Sequence, residues 1–289
     1  MKKKKPEISI IVNCLNGEKF VRRCLRSILK QTYKNFEVIF WDNNSSDNSL
    51  HEVKKFKSRK IRIFKSKNTC KLYNARNKAI SKCFGKYICF LDIDDTWEID
   101  KLEKQLKAIS TRNVDLVYTN YLIVRGKSKL LFNKNIDNKN IDKLILIRNP
   151  ISISTILVKK KSLNKVNNFN KNYEIIGDFD FYYKFCKKFK TYYIDEPLVK
   201  YNIHGDNYSI LKEDLRITEM NNWLIKNGRD KFAKKYLNEF QFVRDKNIYM
   251  KIVIILRNKR NTPVIKEIFK IKSFFLKIKS IIRLFYSYI

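Results

Sequence analysis

Lys86-Tyr-Ile-Cys-Phe-Leu-Asp-Ile-Asp-Asp95 is the stretch on which the fold turns. An apolar run, Tyr87 to Leu91, ends abruptly in three carboxylates, Asp92, Asp94 and Asp95. A run this short, set between Gly85 and acids, predicts a strand buried on both faces of a parallel sheet. In open α/β sheets the ligand crevice lies just beyond the carboxyl ends of the strands. Alternate side chains share a strand face, so Asp92 and Asp94 are expected to project together. Adjacent carboxylates repel unless one is protonated or a cation lies between them. Hard oxygen ligands of this kind suit Mg²⁺ or Mn²⁺, ions that commonly hold substrate phosphates. The competing explanation is that the acids cap a helix starting near Trp97, which Asp95 alone could do.

Around this strand the first half of the chain alternates two patterns. Short apolar runs at Ile8 to Val12, Phe36 to Trp41, Ile61 to Phe64 and Val114 to Tyr121 read as strands. Segments with helical spacing lie between them, at Phe20 to Gln31, Leu50 to Phe56, Tyr73 to Cys83 and Leu102 to Ile109. This rhythm predicts an α/β fold, a parallel or mixed sheet with helices on both faces. The second half is less regular. Leu122 to Phe132, broken at Gly126, reads as a hairpin, Ile153 to Val158 as a strand and Asp178 to Phe189 as a helix. Two short strands are expected around Pro197, Tyr192 to Ile194 and Leu198 to Ile203, and helix from Leu211 onward.

Composition narrows the class. The 289 residues allow one large domain, or one domain with an appendage. A hydrophobic content of 44% is enough for a core and argues against disorder of the whole chain. The formal net charge of +35 fits a phosphate-rich partner or an anionic membrane surface, though over-use of Lys throughout would also produce it. The six cysteines form no C-x-x-C pair and there are only two His, which argues against zinc. Without a disulfide framework, a reduced, cytoplasmic setting fits best. The apolar run after the basic start is too short for a signal peptide, and no segment reaches the roughly 18 apolar residues of a spanning helix.

From about Tyr249 the chain changes character. Lys266, Lys270, Lys277 and Arg283 sit among Ile265, Ile268, Phe269, Phe274, Phe275, Leu276, Ile281, Ile282 and Phe285, with Glu267 the lone acid. That is the composition of an amphipathic helix lying at a membrane interface. An ordinary helix packing its apolar side on the domain would look similar.

Two further strand ends carry polar residues. Ile8-Ser-Ile-Ile-Val-Asn-Cys-Leu-Asn-Gly17 closes on Asn13, Asn16 and Gly17. Phe36-Glu-Val-Ile-Phe-Trp-Asp-Asn-Asn-Ser-Ser-Asp47 closes on Asp42 and turn-forming residues. A strand-end Asp can accept hydrogen bonds from a ribose or base, while Asn43 to Asp47 could equally be turn chemistry.

Taken together, S-I-I-V-N-C-L-N-G, D-N-N-S-S-D, N-A-R-N and F-L-D-I-D-D, in this order and spacing, resemble the family 2 glycosyltransferases with the GT-A fold. The resemblance covers roughly residues 7 to 210. It implies a Rossmann-like mixed sheet flanked by helices over 1–210, and the residues themselves add a helical, basic extension over 211–289. It also implies transfer of a sugar from a nucleotide diphosphate donor, by default a UDP-sugar, to a hydroxyl of a glycan or lipid-linked glycan. The family usually uses Mg²⁺ or Mn²⁺ and inverts the anomeric centre, as in cell-surface polysaccharide assembly.

By the same resemblance, Asp42 holds the nucleobase, and Asn13 and Leu15 line it, with Leu15 in place of the usual Tyr. Arg76, in Asn74-Ala-Arg-Asn77, falls near the nucleotide, although alone it could be a solvated helix residue. Asp92 and Asp94 match the D-x-D motif, Asp94 as direct metal ligand and Asp92 nearer the ribose. Gly177-Asp-Phe-Asp-Phe-Tyr-Tyr-Lys184 resembles E-D-x-D-L-x-x-R, with Gly177 replacing Glu and Lys184 replacing Arg. Asp178 falls on the catalytic base, which takes the proton of the attacking hydroxyl. Asp178 and Asp180 are also acids favoured in the first turn of a helix. His204 resembles the histidine of the family's R-x-H segment, with Asn202 where Arg is usual, and could ligate the metal or contact the diphosphate.

Two other classes compete. A nucleotidyltransferase shares the sheet, carboxylates and metal, but would usually show a Gly-rich phosphate loop, and Asn13 to Lys19 contains only Gly17. A basic, non-enzymatic nucleic-acid-binding protein fits the tail but leaves the acid cluster without purpose. The resemblance implies a nucleotide-sugar and a glycan or lipid-linked glycan as partners, and the tail an anionic surface at the inner face of the cell membrane, with no nucleic acid expected.

Overall fold

The computed structural model describes residues 5–132, 136, 141–258 and 264–286, without the side chains at 209 and 284–286. In chain order the elements begin with β1 (Ile8–Cys14), α1 (Glu18–Leu29), β2 (Phe36–Asp42), α2 (Ser49–Lys54), β3 (Ile61–Lys65) and α3 (Leu72–Ile80). There follow β4 (Tyr87–Phe90), β5 (Thr96–Trp97), α4 (Lys101–Thr111), β6 (Leu116–Arg125), β7 (Ser128–Leu131) and α5 (Ile141–Arg148). After a 3₁₀ turn at Ile153–Thr155 come β8 (Leu157–Lys159), α6 (Lys160–Lys165), α7 (Gly177–Cys186) and β9 (Thr191–Asn202). The last elements are α8 (Tyr208–Leu211), α9 (Glu213–Asn227), α10 (Lys231–Lys235), α11 (Leu237–Arg257), α12 (Val264–Phe269) and α13 (Phe274–Tyr286). They form two compact units, Met1–Ile141 with Pro150–His204, and Asp142–Asn149 with Gly205–Ile289.

The first unit is built on one mixed sheet of nine strands, ordered β3-β2-β1-β4-β8-β6-β9-β5, with β7 paired to β6. Strands β3, β2, β1 and β4 run parallel. The inner three, β2, β1 and β4, are buried on both faces and mostly apolar, and Ile8, Ile10, Val12, Val38, Phe40, Ile88 and Cys89 have no exposed surface, while the edge strand β3 is partly exposed. Register aligns the carboxyl ends: Cys14 pairs with Asp42, and Ile11 with Phe90. Asn13, Asp42 and Asp92 therefore emerge along one rim. Helix α1 turns Val21, Cys24, Leu25 and Ile28 inward at helical spacing and its charged residues outward.

Several elements differ from what the sequence predicts. The apolar run at Ile153 does not extend as one strand. Ile153–Thr155 winds into a 3₁₀ turn, and Ser154, with no exposed surface, gives its hydroxyl to Asp95. The two strands expected around Pro197 are a single strand, β9. Its pairing with β6 shifts register on either side of Asn120, which lies opposite Pro197, a residue with no N–H to give the ladder. The expected hairpin is β6–β7, turning at Gly126, whose φ of +57° is easy only for glycine.

In the second unit Trp223 of α9 stacks on Phe240 of α11, with ring centroids 5.6 Å apart. Asn247 of α11 donates to Ile217 O and to Asn221 on α9. Tyr249, Ile252 and Ile255 of α11 bury against Val264, Ile268, Ile271 and Leu276. The buried carboxylate of Asp245 accepts from the backbone N–H groups of Lys272 and Ser273, which tethers the entry to α13. One face of the tail thus packs as an ordinary helix would, yet Ile265, Phe269, Phe274, Phe275 and Ile282 remain exposed. The Phe285 side chain lies outside the described residues. Among the described residues no helix is long and apolar enough to cross a membrane.

Candidate active site

The rim begins with two loops laced to each other. After β1, Asn16 adopts a φ of 54° and its side chain accepts from Ser46 N–H. The N–H groups of Gly17 and Glu18, at the start of α1, donate to Ser49 Oγ and Asp47 Oδ2. Most of the D-N-N-S-S-D stretch is therefore turn and cap chemistry that holds the two strand ends together. Asp42 is fully buried and both its oxygens face Ser45 N–H, at 3.3 and 3.2 Å. Asn13 stands beside it on β1, its amide nitrogen buried with no hydrogen-bond partner among the described residues. Leu15 is 45% exposed at the same rim.

The carboxylate run departs from strand geometry. Strand β4 ends at Phe90, and Asp95 N–H donates back to Asp92 O, closing a turn. Alternation along a strand therefore does not govern Asp92 and Asp94, and they meet different partners. Asp92 takes a 2.5 Å bond from Arg76 Nη2. Asp94 Oδ2 lies 3.0 Å from His204 Nε2. Burial, and next the charge of Asp92, push the Asp94 carboxyl above its ordinary value. Asp95 does not cap a helix: α4 starts at Lys101, and Asp95 is fully buried, accepting from Ser154 Oγ (2.7 Å) and Asn202 N–H (3.0 Å). These two bonds make it the internal anchor of the turn, and burial, then Asp94 and Asp92, raise its carboxyl strongly.

Arg76 is not a solvated helix residue. It is 2% exposed on α3, lies over the rings of Tyr73 and Phe169, and points to Asp92. Burial opposes its charge, but Asp92, Tyr73 and Asp178 outweigh that and keep it protonated. Asp178, in the first turn of α7, is half-buried. Its Oδ1 accepts from Phe179 N–H (2.7 Å) and lies 3.2 Å from the Tyr73 hydroxyl. Desolvation raises the Asp178 carboxyl, and Arg76 partly offsets this. Asp180 faces the other way, paired with Lys184 one helical turn on at 2.8 Å.

Gly177 has a steric reason to be glycine, since a Cβ there would lie 2.4 Å from the Tyr73 ring. On the other flank the His204 ring lies 4.8 Å from that of Phe20, and Arg23 Nη2 donates to Asp94 O at 2.5 Å. Tyr73, Ser154, Phe20 and Arg23 are site residues that sequence reasoning does not find. Only Tyr73 had a signal, its place next to Asn74-Ala-Arg-Asn77.

The residues present fit a divalent cation of a particular kind. Among the described residues no three His, Cys, Asp or Glu side chains are grouped to hold an ion by themselves. One carboxylate and one imidazole, Asp94 and His204 at 3.0 Å, suit an ion that takes its remaining ligands from substrate phosphate and water.

The sheet order, the rim and the helical cover define a GT-A fold. Similar chains include S. aureus TarS 1-349, solved in complex with UDP-GlcNAc, with a TM-score of 0.69 at 20% identity, over 85% of this chain and 76% of that one. The mannosyltransferase PcManGT from Pyrobaculum calidifontis, in complex with GDP-Man and Mn²⁺, gives a TM-score of 0.66 at 13% identity, over 98% and 85%. Residues 9–181, more than half of the chain, match the family described as Glycosyl transferase family 2, and the chain belongs to that family. The UDP-Glc:alpha-D-GlcNAc-diphosphoundecaprenol beta-1,3-glucosyltransferase WfgD of Escherichia coli is 33% identical over 149 residues. That match covers 48% of this chain and 59% of the length of WfgD.

Proposed function

We propose that this protein transfers a sugar from a nucleotide-diphosphate donor, by default a UDP-sugar, to a hydroxyl of a lipid-linked glycan, with metal dependence and inversion. The observation that carries the reading is the gathering of Asp92 with Arg76, Asp94 with His204, and Asp178 with Tyr73 at one strand-end rim. The name of WfgD, which acts on GlcNAc-diphosphoundecaprenol, supports a lipid diphosphate as acceptor class.

In this reading Asp42 and Asn13 hold the base, with Leu15 at its edge, and Arg76 fixes Asp92 toward the ribose. Asp94 and His204 would hold Mg²⁺ or Mn²⁺, which when bound supplies positive charge to the donor diphosphate as the nucleotide leaves. Asp178 receives the proton of the attacking hydroxyl. Its raised affinity for protons, caused by burial, suits that task. Attack from the face opposite the diphosphate inverts the anomeric carbon. The exposed apolar residues of α12 and α13, interleaved with lysines, would hold the protein at the inner face of the cell membrane, where such an acceptor lies.

The test is a panel of nucleotide-sugars incubated with GlcNAc-diphospho-lipid, with Mn²⁺ and with chelator. Chelator-sensitive transfer from one donor, giving a product of inverted configuration, is the expected result. Transfer unaffected by chelator would remove the metal, and retained configuration would remove Asp178 as base.

A further inference from the structure

Helix α1 carries a stripe of cations that the proposed chemistry leaves unexplained. Lys19, Arg22, Arg23, Arg26 and Lys30 recur at helical spacing on its outer face, opposite the buried Val21, Cys24, Leu25 and Ile28. Acids interspersed among them would make an ordinary solvated surface. Instead, among the described residues, no ion pair joins a carboxylate to Lys19, Arg22, Arg26 or Lys30, and only Arg22 feels the charge of a nearby acid, Glu52, which Lys55 already pairs. Such like charges on adjacent turns repel, so the arrangement costs stability unless an anion sits over it.

The stripe is one wall of a cleft of about 540 Å³ whose other wall is formed by Thr96 to Ile99 and Lys200. The acid in the cleft, Glu98, is already neutralised by Lys200 at 2.6 Å. The 55% exposed Ile99 adds apolar surface to the same cleft, and Trp97 lies buried beneath it. The stripe also touches the carboxylate turn, through the bond from Arg23 to Asp94 O. Arg26 is one helical turn beyond, about 5 Å along the axis.

We infer that this cleft is the seat of the acceptor's diphosphate, with the cations of α1 on the phosphates and Ile99 beneath the start of the lipid. The inference rests on the acceptor class proposed above. Three features carry it. A hydroxyl and the anomeric phosphate of one acceptor sugar are separated by a single ring, so the diphosphate must bind next to the reacting centre, and the stripe starts there. Guanidinium groups bind phosphate oxygens in bidentate fashion, and three of the five cations are arginines. Cations and apolar surface in one cleft match a molecule that is doubly anionic and then hydrocarbon, which a nucleic acid is not.

The experiment compares the parent chain with Arg22→Ala/Arg26→Ala, both exposed positions, and with Arg22→Lys/Arg26→Lys. The same acceptor sugar is offered as GlcNAc-diphospho-lipid and as a neutral alkyl GlcNAc glycoside in uncharged detergent, and the diphospho-lipid again in anionic vesicles. The expected result is a KM for the diphospho-lipid raised about tenfold or more in the alanine variant, partly restored in the lysine variant, with the neutral glycoside unmoved.

An unchanged KM overturns the inference. So does an equal shift for the neutral glycoside, a loss seen only in anionic vesicles, or an equal loss of UDP binding with Mn²⁺. In those cases the stripe serves the fold, the bilayer headgroups or the donor. If no protein transfers sugar to either probe, the proposed acceptor fails, and titration with inorganic diphosphate in chelator then decides the site alone. Weaker binding in the alanine variant keeps it as a diphosphate seat, and equal binding removes it.

Discussion

The Tyr73 hydroxyl lies between Ile175 O, at 3.0 Å, and Asp178 Oδ1, at 3.2 Å, and its ring occupies the space a side chain at Gly177 would need. The tyrosine thus fixes the first turn of α7 and stabilises the charged form of Asp178. Asp178→Asn should lower transfer by about 10²–10⁴-fold while donor binding persists. Tyr73→Phe should act differently. Losing the hydroxyl raises the Asp178 carboxyl further. The rate falls as pH drops through that value, so the acid limb of the kcat/KM profile should move to higher pH. A profile identical to the parent's would separate Tyr73 from the base.

Asp94→Asn is expected to weaken Mn²⁺-dependent binding of UDP by at least about tenfold, a loss of the size seen when groups at metal sites are removed. Folding should not suffer. Burial and the charge of Asp92 raise the Asp94 carboxyl, so its ionised form is already disfavoured in the folded state. Calorimetric titration and a thermal melt read the two effects separately. Lost stability with retained metal-dependent binding would make Asp94 a structural group.

Much of this was legible because it is local. The strands β1, β2 and β4 are mostly apolar runs, the mark of burial on both faces, broken only by Ser9 and Glu37 before each ends in the polar residues that form the rim. What was illegible is long-range. The partners Tyr73 and Asp178 are 105 residues apart, and Asp94 and His204 are 110 apart. No periodicity encodes such pairs. The Ile153 run misled for a related reason: its apolar composition fits a strand, but Ser154 is drawn into a turn by Asp95, 59 residues earlier. Arg76 was open between solvent and site because a helical arginine reads alike in both, until Tyr73, Phe169 and Asp92 enclose it.

Lys101 offers a pH test away from the crevice. It is fully buried, with Nζ 2.7 Å from Gln105 Oε1 and 3.9 Å from the centre of the Trp97 ring. Desolvation lowers it from 10.5 to about 8. Between those values the unfolded chain binds the proton and the folded chain has released it, so this group makes stability rise with pH across that window. Below about 8 the buried charge is carried at a cost. Relative to Lys101→Met, the parent's Tm should therefore climb between pH 7.5 and pH 9.5. A constant difference between the two melts would mean that Lys101 stays charged throughout.

The exposed apolar residues of the tail yield the last prediction. Phe274 is 78% and Phe275 71% exposed at the start of α13, and Phe269 of α12 is 76% exposed. Cutting the chain within α11 would test them badly, because α11 carries Phe240 and Tyr249 and so supports the rest of its unit. Substitution is cleaner: Phe274→Glu/Phe275→Glu removes little packing. Burying each ring in a headgroup boundary contributes about 1.5–3 kcal/mol, and each nearby cation about 1 kcal/mol on an anionic surface. The parent should co-sediment with anionic vesicles, release as salt rises, and bind neutral vesicles weakly. The double variant should lose at least about tenfold in partitioning with an unchanged melt. Equal partitioning of the two proteins, or indifference to lipid charge, would return α12 and α13 to the status of an ordinary packed tail.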